Sequence, residues 1–224
     1  LDDRAPTELQ YDMMYETTRL LRHLSHWVLR NLGPDLDIER AVSRLGPGLG
    51  DLIRDLPELI EGLEIERYDS ALQRFAREGV PPRVARRVAC LGAIHSGVDI
   101  VEVALARKAP VAHAARVYFG LGAAIGLDWI RGEIERLTVE GHWQAVARGA
   151  LREEAYLLHR RLCDQVLARS GKREPGTAIR SWLAQGGVAA ENLKRAVQEM
   201  KTIGGADFPT LSVALQAVRR LAER

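Results

Sequence analysis

Three closely spaced glycines, Gly120, Gly122 and Gly126, are the residues of this sequence that most suggest nucleotide chemistry. Glycine-rich loops hold the phosphates of dinucleotides when they follow a β-strand and open a helix. Here the spacing is G-x-G-x-x-x-G, one residue longer than the common form, and residues 111–119 have an Ala-rich helical pattern. We therefore disfavour a nucleotide site. We predict that these glycines let a neighbouring helix approach closely, or loosen the helix near Gly126.

The stretch 99–126 also has the outline of a helix-turn-helix, because two helical patterns meet at Pro110. A DNA-reading helix must present side chains to base edges and phosphates. The candidate helix, residues 110–125, carries only His113 and Arg116 as basic side chains and has no acidic one. Since a helix that is apolar on nearly all sides is buried, the sequence predicts a central buried helix and disfavours DNA binding.

Two pairs of residues have a helical spacing that metal ligands can use, His159 with Cys163 and His23 with His26. Neither pair has an obvious third and fourth ligand nearby in the sequence, so structural or surface roles are favoured. The adjacent acids Glu153–Glu154 fit a solvated helix face better than a catalytic pair. The sequence contains no HExxH, GxSxG or P-loop motif. We assign no catalytic, cofactor-binding or metal-binding residue.

The overall charge of the chain is nearly balanced, with 32 Lys and Arg against 30 Asp and Glu. Such a balance gives no strong field for nucleic acid or an anionic membrane. The longest uncharged runs, among them residues 117–127, are shorter than the ~20 apolar residues that cross a bilayer, and no signal peptide is visible. Cys90 and Cys163 lie among apolar neighbours, so we predict buried free thiols and a reducing cytoplasm.

Tryptophans and one basic segment are further candidates for contacts with a partner. Trp27, Trp129, Trp143 and Trp182 could anchor an interface, although large aromatic side chains more often fill cores. The segment RVARRVA, residues 83–89, is locally basic and could touch an anionic partner. A solvated helix face is the favoured interpretation of that segment.

The elements that position these residues are predicted to be helical, because apolar residues recur every three or four positions. The first helix begins at the capping box Thr7–Gln10, and Gly33–Pro34 ends it. Asp37 then caps a short helix that ends at Leu45. The glycines and prolines of residues 46–62 predict short helical pieces and turns.

The rest of the chain continues in the same way and predicts an all-α fold. We expect an irregular multi-helix bundle of about ten helices without a significant sheet, in one domain over residues 1–224. A soft division near Ser96–Gly97 could separate two subdomains. The further helices are predicted over residues 64–78, 82–94, 99–109, 110–125, 142–170, 177–185, 190–203 and 208–223.

Four longer segments carry a family resemblance. They are LDIERAVSRLGPGLGDLIRDLPELI (36–60), DIVEVA (99–104), ARVYFGLGAAIGLDWIRGEIERL (115–137) and HWQAVARGALREEAYLLHRRL (142–162). Together they resemble the C-terminal region of the large bacterial NAD-specific glutamate dehydrogenases. The similarity extends from about the first helix to the end of the chain, and its most specific part is residues 99–162.

The resemblance implies that the parent enzyme oxidises L-glutamate to 2-oxoglutarate and ammonia with NAD. In that family the catalytic core lies upstream, and no residue here matches its catalytic or cofactor motif. The resemblance therefore implies a non-catalytic region without its own cofactor. The expected partners are the dehydrogenase core and other subunits of a cytoplasmic homo-oligomer in amino-acid catabolism, with no nucleic acid or membrane. An independent helical adaptor, or a helix-turn-helix protein, remain the alternatives.

Overall fold

The computed structural model describes residues 6–31, 37–171 and 173–224, and their regular structure is entirely helical. Eleven α-helices and a 3-10 turn (Leu56–Glu58) follow one another within these ranges, and no strand occurs there, so the all-α prediction is confirmed. The helices are α1 (Thr7–Asn31), α2 (Ile38–Asp55), α3 (Leu63–Arg77), α4 (Pro82–Ala89), α5 (Leu91–Ile94), α6 (Gly97–Arg107), α7 (Val111–Ile125), α8 (Leu127–Arg136), α9 (His142–Ser170), α10 (Pro175–Ile203) and α11 (Phe208–Ala222).

Several predicted helix ends agree with the structure. α1 begins at Thr7, although the predicted stop at Gly33–Pro34 lies outside the described residues. The long helix α9 begins at His142 as predicted and is followed by Gly171, whose φ of 59° lies in the left-handed region. Glycine adopts that region without the Cβ penalty of other residues, which is why it often follows a helix.

The predicted end of the second helix at Leu45 is wrong, because α2 continues through the Gly- and Pro-rich stretch to Asp55. Asp37 caps this helix as expected, and its carboxylate accepts a hydrogen bond from Arg40 N at 3.0 Å. A Cβ added at Gly48 would lie only 2.9 Å from Val101 Cγ1 on α6. Close packing of α2 on α6 thus outweighs the weak helix propensity of this stretch.

One other boundary differs from the prediction, because the helix expected over residues 82–94 is interrupted at Cys90, which separates α4 from α5. The two helices expected over residues 177–185 and 190–203 correspond to the two parts of α10, which meet at a kink at Gly187, where φ is 51°.

Helix α7 lies at the centre of the main hydrophobic core and packs against α2, α6, α8, α9 and α10. A second, smaller cluster joins α1 to α3 and α4 through Leu9, Phe75 and Val88. The main cluster contains residues from both sides of Ser96–Gly97. The assignment of residues 1–224 to one domain, with a soft division at that point, stays a prediction.

No described helix is by itself both long and apolar enough to cross a bilayer. One bent pair, Pro82–Ile94 with Gly97–Arg107, reaches the length and composition of a span, and its two parts meet at 68°.

Candidate functional site

The glycines of α7 provide close contacts between helices. A Cβ added at Gly122 would lie 2.9 Å from Cε1 of His159 on α9, and one at Gly120 would lie 2.8 Å from Glu61 Oε2. Gly126 ends the helix with a φ of 73° and leaves room for Val197 of α10. The predicted close approach of neighbouring helices is confirmed. The residues before the glycines form a helix, so the strand that a dinucleotide loop requires does not precede them.

Replacing Gly122 with Ala should lower the free energy of unfolding by about 1–3 kcal/mol, because the added methyl group would overpack the contact with His159. The matched control is Gly149→Ala on α9, where an added Cβ has no neighbour within 4 Å. That variant should raise the free energy of unfolding by about 1 kcal/mol, because alanine has the higher helix propensity. Urea unfolding measures both effects. Equal effects of the same sign would contradict the packing role of Gly122.

The helix that was weighed and disfavoured above as a DNA reader is the central buried helix. Tyr118, Phe119 and Leu121 are almost completely buried in the core. Of the two basic side chains of α7, Arg116 is exposed and His113 is half-buried. The predicted central position of this helix is therefore confirmed, and α7 does not present a face to a DNA groove.

The candidate metal ligands lie in separate environments. His159 and Cys163 are both fully buried, and Cys163 lies 3.9 Å from the backbone oxygen of Ala114. His23 lies 3.6 Å from Asp99, whereas His26 lies 3.9 Å from Glu153. Over the described ranges, the structure brings no three His, Cys, Asp or Glu residues together in a metal-binding arrangement.

The other residues singled out in the sequence divide between core and surface. Cys90 and Cys163 are buried free thiols as predicted, and burial raises the pKa of Cys90 to about 11. Trp27 and Trp182 fill the core, but Trp143 is 80% exposed. The basic segment 83–89 forms α4, whose three arginines are exposed, so its interpretation as a solvated face is confirmed.

The densest polar cluster surrounds Arg131, which projects from α8 into the interior and is 8% exposed. Its Nη2 donates to Glu64 Oε1 at 2.9 Å, and its Nη1 donates to Ser96 Oγ at 3.3 Å. The guanidinium also lies over the ring of Tyr156, 5.1 Å from its centroid. One buried cation thus connects α3, α8 and α9 with the residue before α6.

His159 extends this cluster into the core as a neutral ring. Its Nε2 lies 2.7 Å from the backbone oxygen of Tyr118, and its Nδ1 lies 3.5 Å from Arg131 Nη1. Burial, reinforced by the charge of Arg131, lowers the pKa of His159 well below its ordinary value. Because a carbonyl oxygen can only accept a hydrogen bond, the proton lies on Nε2 and Nδ1 is the acceptor toward Arg131. The ring also stacks on Tyr118 with 3.6 Å between centroids.

A second ion-pair group lies beside the first. Arg152 binds both carboxylate oxygens of Glu135 at 2.5 and 2.9 Å, and Arg19 of α1 lies 3.5 Å from the same carboxylate. Burial by itself raises the pKa of Glu135, but the hydrogen bond from Arg152 and the nearby arginine charges give a net lowering. Arg19 also donates to Glu16 at 3.1 Å. This group fixes α1 against α8 and α9.

Both groups line one cavity of about 350 Å³ between α1, α3, α8 and α9, which we call the arginine cavity. Its wall is charged and includes six arginines and four carboxylates, together with Phe75 and Tyr156. The charged members are Arg19, Arg67, Arg74, Arg131, Arg136, Arg152, Asp12, Glu16, Glu64 and Glu135. Most of these groups form ion pairs with each other. Such a charged wall is suited to binding a charged group and holding it in position.

Comparison with known proteins agrees with the resemblance described above. Residues 1–220 match the family described as "Glutamate dehydrogenase, C-terminal". The chain belongs to this family. Curated relatives named NAD-specific glutamate dehydrogenase come from Pseudomonas aeruginosa (31% identical over 224 residues), Halomonas elongata (26% over 224 residues) and Mycobacterium tuberculosis (27% over 220 residues). These matches cover 100%, 100% and 96% of this chain but only 14%, 14% and 13% of the relatives, so the chain spans about one seventh of their length.

In this member of the glutamate dehydrogenase C-terminal family, sequence reasoning missed the arginine cavity altogether. Arg131 and Glu64 lie 67 positions apart, so no local spacing relates them. The one available signal was Arg131 itself. It directly follows residues 117–130, a mostly apolar segment whose one charged residue is Asp128. A buried cation requires a partner, but the sequence does not indicate which carboxylate provides it.

Helix α1 of this family member also has a second apolar face that the sequence analysis overlooked. Its buried face includes Leu9 and Trp27. The opposite side carries five large apolar residues, each more than half exposed, which we call the α1 stripe: Tyr11, Met14, Tyr15, Leu21 and Leu29. Residues spaced by three, four and seven positions share one side of a helix.

Proposed function

We propose that this chain is a non-catalytic helical region of a larger NAD-specific glutamate dehydrogenase, where it supports fold, assembly or regulation. The parent reaction would convert L-glutamate, NAD and water to 2-oxoglutarate, ammonia and NADH. The observation that carries the proposal is the family match over residues 1–220, combined with the 14% of the relatives' length that the chain covers. The parent is proposed to be a cytoplasmic homo-oligomer in amino-acid catabolism.

The interior of the chain supports a non-catalytic role. The buried charges of Arg131, Glu64 and Glu135 are used in ion pairs between helices. Hydride transfer to NAD requires a cofactor site and groups that orient the substrate. We assign neither function to a residue of this chain, and the chain alone should not oxidise glutamate.

The α1 stripe supports a contact with the rest of the parent chain. Exposed apolar residues that line up along a helix are typical of protein interfaces. The relatives contain about six times as many residues outside the matched region as within it, so a large protein surface is available as the partner. We propose that the dehydrogenase core of the same chain, or of another subunit, covers the α1 stripe.

The test introduces Leu21→Glu into the full-length parent enzyme. A charge buried in the interface should weaken the contact, and we expect a change in oligomeric state, in kcat or in KM for glutamate. Val213→Glu on α11 is the matched control, since Val213 is also a single exposed apolar residue, 59% accessible. Sedimentation velocity and steady-state kinetics give the readouts. Identical assembly and kinetics in wild type and Leu21→Glu would contradict the proposed contact.

An independent helical adaptor is the second candidate function, and the same α1 stripe favours it. An adaptor would bind a helix or peptide of another protein along this face. The isolated 224-residue chain would then be monodisperse and would bind an unrelated protein in a Leu21-dependent manner. Binding to the parent's core alone would favour the first proposal.

A further inference from the structure

The lining of the arginine cavity contains more arginines than carboxylates, six against four. Arg136 forms an ion pair with Glu133, which lies outside the lining, so the excess is one positive charge when all these groups are ionised. Burial raises the pKa of Glu16, so protonation of that carboxyl would increase the excess. Glu64 is already bound by Arg131 and Arg67, and Glu135 is already bound by Arg152 and Arg19. An anion is therefore the ligand that the charge of the cavity favours.

Two arginines of α3, Arg67 and Arg74, line the cavity. Arg67 uses Nη1 to bind Glu64 at 3.2 Å, and its Nη2 lies over Gly132, where an added Cβ would approach it to 2.5 Å. Arg74 binds Asp12 through Nη2, but its buried Nε has no hydrogen-bond partner in the described structure. Because Arg67 and Arg74 lie seven positions apart, they share one side of α3. A buried N–H without a partner is costly, and an acceptor in the cavity would satisfy it.

A surface depression that shares lining residues with the cavity is basic as well. Arg67, Arg74 and Arg136 line both the cavity and the adjoining surface depression, where Arg77 joins them and Glu66 is the only acid of the lining. Positive walls of this kind raise the local concentration of anions. An anion that arrives at the surface therefore meets the same side chains that would hold it inside.

The size of the cavity favours a small ligand. Its volume of about 350 Å³ lies at the lower end of the ~300–1,000 Å³ of small-molecule sites. Guanidinium groups match the paired oxygens of carboxylate and phosphate. We propose that the arginine cavity binds a small dianion with carboxylate or phosphate oxygens, held by Arg67 and Arg74. The proposal is independent of how the chain packs against a dehydrogenase core.

Isothermal titration calorimetry on the 224-residue chain tests this proposal at constant ionic strength. Inorganic phosphate and succinate are titrated separately, with acetate as the monoanionic comparison. We expect saturable binding of at least one dianion and weaker binding of acetate. Saturation by phosphate alone, or by succinate alone, identifies which kind of oxygen group the cavity prefers. Absence of saturable binding by both dianions at millimolar concentration would overturn the proposal.

Matched variants locate the binding. Arg67→Gln should weaken dianion binding by about tenfold or more. The Arg67 side chain is 44% exposed, so we expect this substitution to leave the fold intact. Arg74→Gln should have a similar effect, with circular dichroism to check that α1 remains docked. Arg83→Gln on α4 removes an exposed arginine outside the cavity and should leave the affinity unchanged. Equal weakening in Arg83→Gln and Arg67→Gln, or none in Arg67→Gln, would refute binding in this cavity.

Discussion

Replacing Arg131 with Met should lower the free energy of unfolding by about 3–5 kcal/mol, the range expected when one partner of a buried ion pair is removed. Glu64 is 8% exposed and would lose its hydrogen bond from Arg131 at 2.9 Å. Ser96 would lose the same donor, and the Nδ1 of His159 would lose the cation beside it. Urea unfolding followed by circular dichroism measures this free energy. The slope of the free energy of unfolding against urea concentration is compared between the variants.

Two further variants show whether the loss comes from the buried carboxylate of Glu64. Arg54→Met on α2 removes an arginine that is 70% exposed and pairs with Asp51, which is 62% exposed, and it should change the free energy of unfolding by less than about 1 kcal/mol. The double variant Arg131→Met with Glu64→Leu should recover a large part of the stability, because it removes a buried carboxylate whose one remaining ion-pair partner would be the partly exposed Arg67. A double variant as unstable as Arg131→Met alone would disprove this explanation.

The helices that could be predicted from the sequence are those whose local signals agree with one another. In α11, apolar residues at Leu211, Leu215 and Val218 follow the helical period, and all three are buried. In the structure Asp207 caps this helix, because its carboxylate accepts a hydrogen bond from Thr210 N at 2.9 Å. When the period, the cap and the turn residues agree, the boundaries are recovered within one or two residues.

The helix ends that could not be predicted depend on contacts far away in the sequence. At Gly48 the local signal indicates a break, but the contact with Val101 of α6 keeps the chain helical. The reverse occurs at Cys90, where an apparently continuous pattern contains a turn between α4 and α5. Propensity differences of about 1 kcal/mol for each glycine are smaller than the packing free energy of a whole helix.

The candidate site was invisible in the sequence for a related reason. His159 contacts the backbone oxygen of Tyr118, 41 positions away, and Arg131 contacts Ser96, 35 positions away. Neither backbone oxygens nor isolated serines give a recognisable signal. What the sequence did indicate was the small size required at Gly122, and the structure explains this requirement through the stacked rings of His159 and Tyr118.

The arrangement of buried charges explains how the bundle holds several helices in one geometry. Arg131 connects Glu64 of α3 with His159 of α9, while Glu135 connects Arg19 of α1 with Arg152 of α9. Directional hydrogen bonds fix the relative positions of helices more narrowly than apolar contacts do. Arg19 thus connects the wall of the arginine cavity to α1, the helix that also carries the α1 stripe.

Acidification from pH 7 to pH 5 should destabilise the chain through its buried neutral histidines. Burial, reinforced by the charge of Arg19, lowers the pKa of His95 to about 3. In the unfolded chain a histidine has its ordinary pKa near ~6.5, so between these two values the unfolded state binds a proton that the folded state does not. Stability is therefore complete above pH 6.5 and falls as the pH decreases. By pH 5 the loss should reach about 2 kcal/mol for His95.

The variant His95→Gln separates the contribution of His95 to the pH dependence of stability from the contributions of other groups. His159 contributes in the same direction, because its pKa is also lowered, whereas the raised pKa of Glu16 acts in the opposite direction. The informative quantity is therefore the difference in free energy of unfolding between pH 7 and pH 5, measured by urea unfolding in each variant. His95→Gln should reduce this difference by about 2 kcal/mol, whereas His142→Gln, which alters an exposed histidine, should leave it unchanged. The same pH dependence in His95→Gln and wild type would mean that His95 is protonated equally in the folded and unfolded states.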